Sequence, residues 1–179
     1  MENSENEIEH HVKILTEDAF QLSGDEILER IIFLGFKNDP QLYERFRQKL
    51  IDWLPPGTGA SLRGSVVTNA RHEDGTPFDS KGVGTSDLDL TLHGREALAM
   101  FNEYYIPALH SKPLCDKDSG IATSELNDFR CELQKMVERP VNIHATANIV
   151  MYIREFLGAP FFMIIEPAET TVVNDAQTA

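Results

Sequence analysis

Residues 62–92 read LRGSVVTNARHEDGTPFDSKGVGTSDLDLTL, and this stretch decides the fold. It ends in three leucines that alternate with polar residues: Leu88, Leu90 and Leu92. Because successive side chains of a β-strand point to opposite faces, a strand over residues 86–92 turns the leucines to a core and Asp87, Asp89 and Thr91 to the other face. Two carboxylates one strand repeat apart suit a divalent metal that carries phosphate oxygens.

A Gly-Ser pair, Gly64 and Ser65, lies upstream of these aspartates, where a strand predicted over residues 60–64 ends. The segment over residues 68–85 is rich in Gly, Asp, Lys and Ser and has little hydrophobic periodicity. It is therefore predicted to be a long loop over the site, with a small hairpin near Asp74.

The composition limits the class of protein. The chain has 179 residues, a hydrophobic share of 41% and a net charge of −13, which indicate one domain with an acidic surface. Broad nucleic-acid binding needs clustered Lys and Arg, so it is disfavoured, whereas a nucleotide held through a metal is not. The two cysteines, Cys115 and Cys131, form neither a CxxC pair nor a disulfide framework. We predict a cytoplasmic protein without membrane contact. The cysteines fit free thiols, no apolar run is long enough to span a membrane, and the N-terminus lacks the pattern of a signal peptide.

Before the central stretch the sequence predicts a disordered acidic tail over residues 1–9 and then helices. The first short helix covers residues 10–22, with Val12, Leu15 and Ala19 as its apolar stripe. The adjacent pair His10 and His11 is compatible with a metal pair, although solvated side chains are the simpler interpretation.

The next two helices have clear start signals. Ser23 followed by Glu26 has the spacing of a capping box, and Gly35 is a natural stop. Asp39 and Pro40 begin the next helix, and residues 55–57, Pro-Pro-Gly, end it.

After the central stretch, helices and strands alternate. Helices are predicted over residues 95–110, 123–139 and 148–157, and strands over residues 141–145 and 161–165. A polar loop over residues 111–120 and a flexible tail over residues 168–179 complete the chain. The sum is an α+β (mixed α/β) domain over residues 10–167, with a small mixed β-sheet flanked by helices.

The chain resembles the DNA polymerase β-like nucleotidyltransferase superfamily in the signature of that family, which here reads Gly64-Ser65 followed by Asp87-Leu88-Asp89-Leu90. The resemblance covers about the middle third of the chain, and the order of the elements extends it weakly. It implies the nucleotidyltransferase fold and transfer of a nucleoside monophosphate from an NTP to an acceptor, with release of pyrophosphate. Mg²⁺ or Mn²⁺ would be the cofactor.

The resemblance also implies a role for each matching residue. Gly64 would let the backbone approach a triphosphate, and Ser65 would hydrogen-bond its outer phosphates. Asp87 and Asp89 would bind two metal ions, one on the triphosphate and one that activates the attacking hydroxyl. Further candidate phosphate partners are Arg63, Arg71 and Lys81, although a solvated charge is the simpler interpretation of each.

One departure from the family pattern concerns the third carboxylate, which the family places on a later strand. The matching strand here reads Val-Asn-Ile-His-Ala over residues 141–145. Asn142 stands where Asp is expected, and it can offer a carbonyl oxygen to a metal but cannot act as a base. His144 lies on the same face and is a candidate catalytic base or a structural sheet histidine. Glu138 and Glu166, at element ends, are weaker substitutes.

Three functions therefore stay open. The first is a nucleotidyltransferase whose acceptor is a small molecule, a protein or a nucleotide rather than bulk nucleic acid. The second is a non-catalytic nucleotide- or protein-binding module on the same fold, which the missing carboxylate favours. The third, a metal-dependent glycosyltransferase with a DxD motif, fits less well because it needs a larger domain. An edge strand whose charges oppose aggregation is the structural alternative for Asp87 and Asp89.

Overall fold

A computed structural model describes residues 2–102, 107–110, 114, 120–152, 154 and 158–167, with side chains from residue 6 onward. The predictions for Cys115 and for the tail over residues 168–179 lie outside these residues. So do most of the loop predicted over residues 111–120 and the end of the helix predicted over residues 148–157. Within the described residues, no helix is both long and apolar enough to cross a membrane.

The described residues form a mixed five-stranded sheet with helices against it, which confirms the α+β prediction. The helices are α1 (Glu2–Thr16), α2 (Gly24–Gly35), α3 (Pro40–Trp53), α4 (Ser65–Thr68), α5 (Arg95–Leu98), α6 (Ser124–Val137) and α7 (Ile149–Tyr152). The strands are β1 (Gly59–Arg63), β2 (Leu88–His93), β3 (Ala108–Leu109), β4 (Val141–Thr146) and β5 (Phe161–Ile165). The strand order is β3-β4-β2-β1-β5, with β2 and β4 parallel and the other neighbours antiparallel.

The helix starts follow the signals in the sequence. Ser23 and Glu26 form both hydrogen bonds of the capping box at the start of α2. The Asp39 side chain accepts a hydrogen bond from the Gln41 amide, and Pro40 is the first residue of α3. Thr123 caps α6 in the same way. Helices α2, α3 and α6 therefore begin where the sequence predicts.

The leucine face of β2 is the centre of the core. Leu88, Leu90 and Leu92 are fully buried in one cluster with apolar residues of α2, α3 and α6. Trp53 of α3 stacks on Phe129 of α6 with ring centroids 4.0 Å apart and so joins these two helices. Burial of a leucine side chain contributes roughly 1.5–3 kcal/mol. The helices thus cover one face of the sheet and leave its polar face for other contacts.

The beginning of the chain differs from the prediction. The segment over residues 2–9 is the first part of α1 and is not a disordered tail, and α1 ends at Thr16, before a 3₁₀ helix over Ala19–Gln21. The segment is rich in Glu and has neither Gly nor Pro, so it favours a helix, and acidic residues suit a helix N-terminus. The buried apolar residue of α1 is Ile14, whereas Val12 is 54% exposed.

The histidine pair in α1 is occupied by protein contacts. His10 Nε2 lies 2.5 Å from a Glu29 carboxylate oxygen, and His11 Nδ1 lies 3.1 Å from the Glu7 carbonyl oxygen. Together with an ion pair between Lys13 and Glu26, the His10 contact joins α1 to α2. Both histidines thus contact protein groups rather than solvent alone, which differs from the expectation of solvated side chains and does not favour a metal pair.

The helix predicted over residues 95–110 is wrong. Helix α5 ends at Leu98, and Ala108 and Leu109 form a strand on the edge of β4, where Leu109 pairs with Ile143. Pro107 cannot occupy a helix interior, because it lacks the amide hydrogen and its ring clashes with the preceding turn. Its carbonyl oxygen instead accepts a hydrogen bond from the Ala145 amide and extends the pairing with β4.

Candidate active site on the polar face of the sheet

The Gly-Ser turn connects β1 to the short helix α4. Gly64 has a φ of +73°, a conformation that side chains strongly disfavour. A Cβ atom at this position would lie 2.7 Å from Asp89 Oδ2, which is closer than real contacts allow. Glycine is therefore required here, both for the turn and for the close approach of the backbone to the Asp89 carboxylate.

The two aspartates and Asn142 are brought together by the parallel pairing of β2 and β4. Asp89 is the register partner of Asn142, and Asp87 immediately precedes β2. Asn142 Nδ2 donates to Asp87 Oδ2 at 2.6 Å and to Asp89 Oδ1 at 3.1 Å. One amide nitrogen thus bridges both carboxylates, so all three residues predicted as metal ligands lie at one point of the sheet.

Arg63 provides positive charge beside this group. It ends β1 opposite Asp89, and its Nη2 lies 3.7 Å from Asp89 Oδ1. Its Nε also donates to Thr91 Oγ1 at 3.3 Å, which fixes the guanidinium across the polar face. Arg63 is thus a second partner of Asp89, opposite the amide of Asn142.

The negative charge of the Asp89 carboxylate is unfavourable in this position. Burial, and then the nearby charge of Asp87, raise the pKa of Asp89 above its ordinary value, although Arg63 and Asn142 act in the opposite direction. The surrounding groups therefore compensate the negative charge only in part. A carboxylate of this kind gains stability from an added cation.

A cavity of about 590 Å³ opens beside the aspartates. It is lined by six of the predicted site residues: Arg63, Gly64, Ser65, Arg71, Asp87 and Asp89. Arg71 and His72 line it from the loop that follows α4. The loop predicted over residues 68–85 does lie over the site, and near Asp74 it contains a tight turn in which the Gly75 amide donates to the Arg71 carbonyl. Lys81, in contrast, is exposed and does not line the cavity.

His144 lies on the same sheet face but behind the cavity. It is buried, its register partner is Thr91, and it is absent from the cavity lining. Its ring meets His110 edge-on with centroids 5.0 Å apart, and its Nε2 has no hydrogen-bond partner. Burial, with the positive charges of Arg63 and His110, lowers the pKa of His144 to about 3. The imidazole is therefore neutral and only weakly basic near neutral pH, which disfavours the predicted role as a base.

The donor atoms fit a hard divalent cation. Asp87 and Asp89 supply carboxylate oxygens, and a rotation of the Asn142 amide would supply a carbonyl oxygen, which are the ligands that Mg²⁺ prefers. Within the part of the chain that the structure describes, no set of three or more His, Cys, Asp or Glu side chains is placed to hold a metal. Glu138 is engaged elsewhere, at 2.6 Å from Lys37 Nζ.

The residues that hold the loop before Asp87 were not predicted from the sequence. The guanidinium of Arg139, which is 3% exposed, contacts both carboxylate oxygens of Asp79 and donates to the Ser86 carbonyl oxygen at 3.0 Å. Asp79 also accepts hydrogen bonds from the Gly84 and Ser86 amides at 2.8 Å. Burial acts to raise the pKa of Asp79, but Arg139 and these amides together lower it. The only local signal was an arginine directly before Pro140, at a strand start.

Comparison with known proteins finds no matching family model, no matching curated protein and no matching solved structure.

Proposed function

We propose that this chain is a metal-dependent nucleotidyltransferase with the polymerase β-like fold. The observation that carries the proposal is the convergence of Asp87, Asp89 and Asn142 beside a cavity that begins at the Gly64-Ser65 turn. The order of elements supports it as well, because a strand, a Gly-Ser turn and a strand with two aspartates follow one another and pair in the sheet.

In this proposal the first cavity receives the triphosphate. Ser65 lines the cavity and offers a hydroxyl donor, while Arg63 and Arg71 offer guanidinium groups for phosphate oxygens. Arg71 is already paired with Glu73 at 3.1 Å, so the phosphates would compete with that carboxylate. Mg²⁺ or Mn²⁺ bound by Asp87, Asp89 and Asn142 would neutralise phosphate charge and favour ionisation of the acceptor hydroxyl.

The reaction proposed is an in-line substitution at the α-phosphorus of the NTP. The acceptor oxygen forms the new bond to this phosphorus, the bond to the β-phosphate oxygen breaks, and pyrophosphate leaves with the electron pair. The proton of the acceptor hydroxyl passes to solvent at the open mouth of the cavity, because the buried His144 is a weak base. The chain itself contributes position and charge, which dominate catalysis in this chemistry.

The acceptor is best sought among molecules that tolerate an acidic protein. The net charge of −13 disfavours the phosphate backbone of bulk nucleic acid. A small molecule, a protein hydroxyl or a second nucleotide fits this charge better.

The test is release of labelled pyrophosphate from each of the four NTPs with Mg²⁺ and with Mn²⁺, in the presence of a panel of acceptors. The variant Asp87→Asn with Asp89→Asn keeps the shape of the site and removes its charge, so release should disappear. Asp52→Asn, at an exposed position of α3, is the matched control and should release pyrophosphate like the wild type. Equal release from the wild type and the double variant would contradict the proposal.

The second candidate is a non-catalytic nucleotide-binding module, and Asn142 is the observation that favours it. An amide replaces the third carboxylate and already satisfies both aspartates by hydrogen bonds. The expected result in that case is metal-dependent NTP binding without pyrophosphate release with any acceptor. Asn142→Asp then separates the candidates, because it restores the missing carboxylate and should produce release only if the rest of the machinery is intact.

A further inference from the structure

A second cavity adjoins the first and has no role in the proposed chemistry. It has a volume of about 450 Å³ and lies between the end of α1, the 3₁₀ helix over Ala19–Gln21 and residues 158–160. Three residues line both cavities: Thr68, Ala70 and Ala159. A ligand could therefore extend from the first cavity into the second across one shared wall.

Buried polar contacts fix the walls of this second cavity. Arg30 of α2 is fully buried, and its guanidinium donates to the backbone carbonyl oxygens of Ile14, Glu17 and Val67. Placing a cation among backbone carbonyls is costly unless the geometry is well satisfied. These three bonds attach the end of α1 to α4, next to the Gly-Ser turn.

Asn69 makes a second attachment from the other side. It adopts a left-handed conformation with a φ of +52°, and its Nδ2 donates to the Leu15 carbonyl oxygen at 2.9 Å. Its Oδ1 accepts a hydrogen bond from the Phe78 amide at 3.0 Å. The end of α1, α4 and the loop before Asp87 are thereby held together, so the second cavity is pre-formed rather than a gap between loosely packed segments.

The lining of the second cavity differs in chemistry from that of the first. Phe20 is 68% exposed and lines the cavity, and apolar surface is added by Leu15, Ala19 and Pro160. Among the described residues, the charged members of the lining are Glu17 and Asp18, which are acceptors only and repel phosphate. An exposed aromatic ring with nearby acceptors suits a flat heterocycle that carries N–H donors.

We propose that the second cavity binds the nucleobase of the nucleotide whose phosphates occupy the first, an inference that rests on the proposed function. The base stacks on Phe20, and the carboxylates of Glu17 and Asp18 accept hydrogen bonds from its exocyclic amino group. Adenine, guanine and cytosine carry this group, whereas uracil does not. The site therefore prefers amino-bearing bases to uracil.

The experiment compares the calorimetric affinities of ATP, UTP and inorganic triphosphate for the full chain in the presence of Mn²⁺. ATP should bind about tenfold more tightly than triphosphate, the effect expected for one base stack, and more tightly than UTP. Phe20→Ala should remove the advantage of ATP and leave the affinity for triphosphate unchanged, while Phe20→Tyr should restore it. Ile51→Ala, which truncates an exposed apolar residue of α3, is the control and should change none of these affinities.

The outcomes separate this inference from the proposed function. Equal affinities for ATP and triphosphate in the wild type, or an unchanged ratio in Phe20→Ala, would overturn the base site and leave the phosphate site standing. Equal affinities for ATP and UTP would overturn the role of Glu17 and Asp18. If neither ATP nor triphosphate binds, the proposed function itself fails. If Phe20→Ala lowers only the rate of pyrophosphate release, the cavity binds the acceptor and the assignment to the base is wrong.

Discussion

The two faces of the sheet are built from opposite kinds of residue although they share the same strands. On one face of β2 stand Leu88, Leu90 and Leu92, each with no exposed surface. The other face is polar but almost as deeply buried, with five residues of the described strands at 9% exposure or less: Ser61, Thr91, His93, Asn142 and His144. The same backbone thus supports an apolar core and a buried polar layer.

The polar face costs stability that the leucine face does not. His93 Nε2 has a partner in Ser61 Oγ at 2.9 Å, but His93 Nδ1 and His144 Nε2 are buried without one. Each unpaired buried polar atom costs about 1–3 kcal/mol. A fold under selection for stability alone would replace such groups with apolar ones, which agrees with the binding role proposed for this face.

The largest effect is expected on the leucine face. Leu90→Ala should lower the free energy of unfolding by about 3 kcal/mol, because it leaves a cavity among fully buried neighbours. Denaturant unfolding measures it. Val83→Ala, at a position 92% exposed, should change stability by less than about 0.5 kcal/mol. A loss at Leu90 as small as that at Val83 would contradict the placement of the core.

Lowering the pH should reduce the stability of the protein through a buried histidine on the polar face. Burial is the main cause that lowers the pKa of His144 to about 3, from an ordinary value of 6.5. Below pH 6.5 the unfolded chain therefore binds a proton that the folded chain takes up only near pH 3, so stability falls as the pH falls through this window. The contribution of His144 to this loss is about 1.6 kcal/mol between pH 6.5 and pH 5.

The measurement is the free energy of unfolding against pH for the wild type and for His144→Gln. The variant should lose stability less steeply in this window, because the titrating group is gone. His72→Gln is the control, since His72 is an exposed loop residue, and it should keep the wild-type slope. Identical slopes in all three proteins would contradict the buried, neutral state of His144.

Asp89→Asn should stabilise the metal-free protein. Burial and the charge of Asp87 raise the pKa of Asp89, so the ionised carboxylate is held at a cost that a neutral isostere avoids. The expected gain is seen as a higher melting temperature of the variant without metal. A clear loss of stability would mean that the contact with Arg63 outweighs burial at this position.

The sequence allowed the core face and the Gly-Ser and aspartate positions to be predicted, because alternation and capping signals are local. The helix predicted over residues 95–110 was wrong because the prediction gave the apolar stripe more weight than Pro107. The Pro107 carbonyl oxygen pairs with the edge of β4, a tertiary contact that the local pattern does not show. The bridging role of Asn142 depends on the parallel register of β2 and β4, which no local pattern specifies.

The burial of Arg30 could be predicted from the sequence, but its hydrogen-bond partners could not. With Ile27, Ile31 and Leu34, Arg30 occupies the i, i+3, i+4 and i+7 positions of one helix face, so its burial had a signal in the sequence. Its partners are carbonyl oxygens of distant segments, which only the folded chain reveals.

The smallest effect is expected at Lys81. It is exposed and apart from the cavity, so Lys81→Ala should change metal-dependent ATP affinity by less than twofold. Arg71→Ala is the matched comparison and should weaken it about tenfold, because a charge-assisted hydrogen bond to phosphate is lost. Titration of ATP with Mn²⁺ gives both values. Equal effects would contradict the assignment of Arg71 to the cavity.

The central claim is that the buried polar face binds a metal and a nucleotide through Asp87 and Asp89. The most direct test is calorimetric titration of ATP into the wild type and into Asp87→Asn with Asp89→Asn, each with and without Mn²⁺. The wild type should bind ATP only with Mn²⁺, and the double variant, folded by circular dichroism, should bind it in neither condition. Equal, metal-dependent ATP affinity in the folded double variant would contradict the claim.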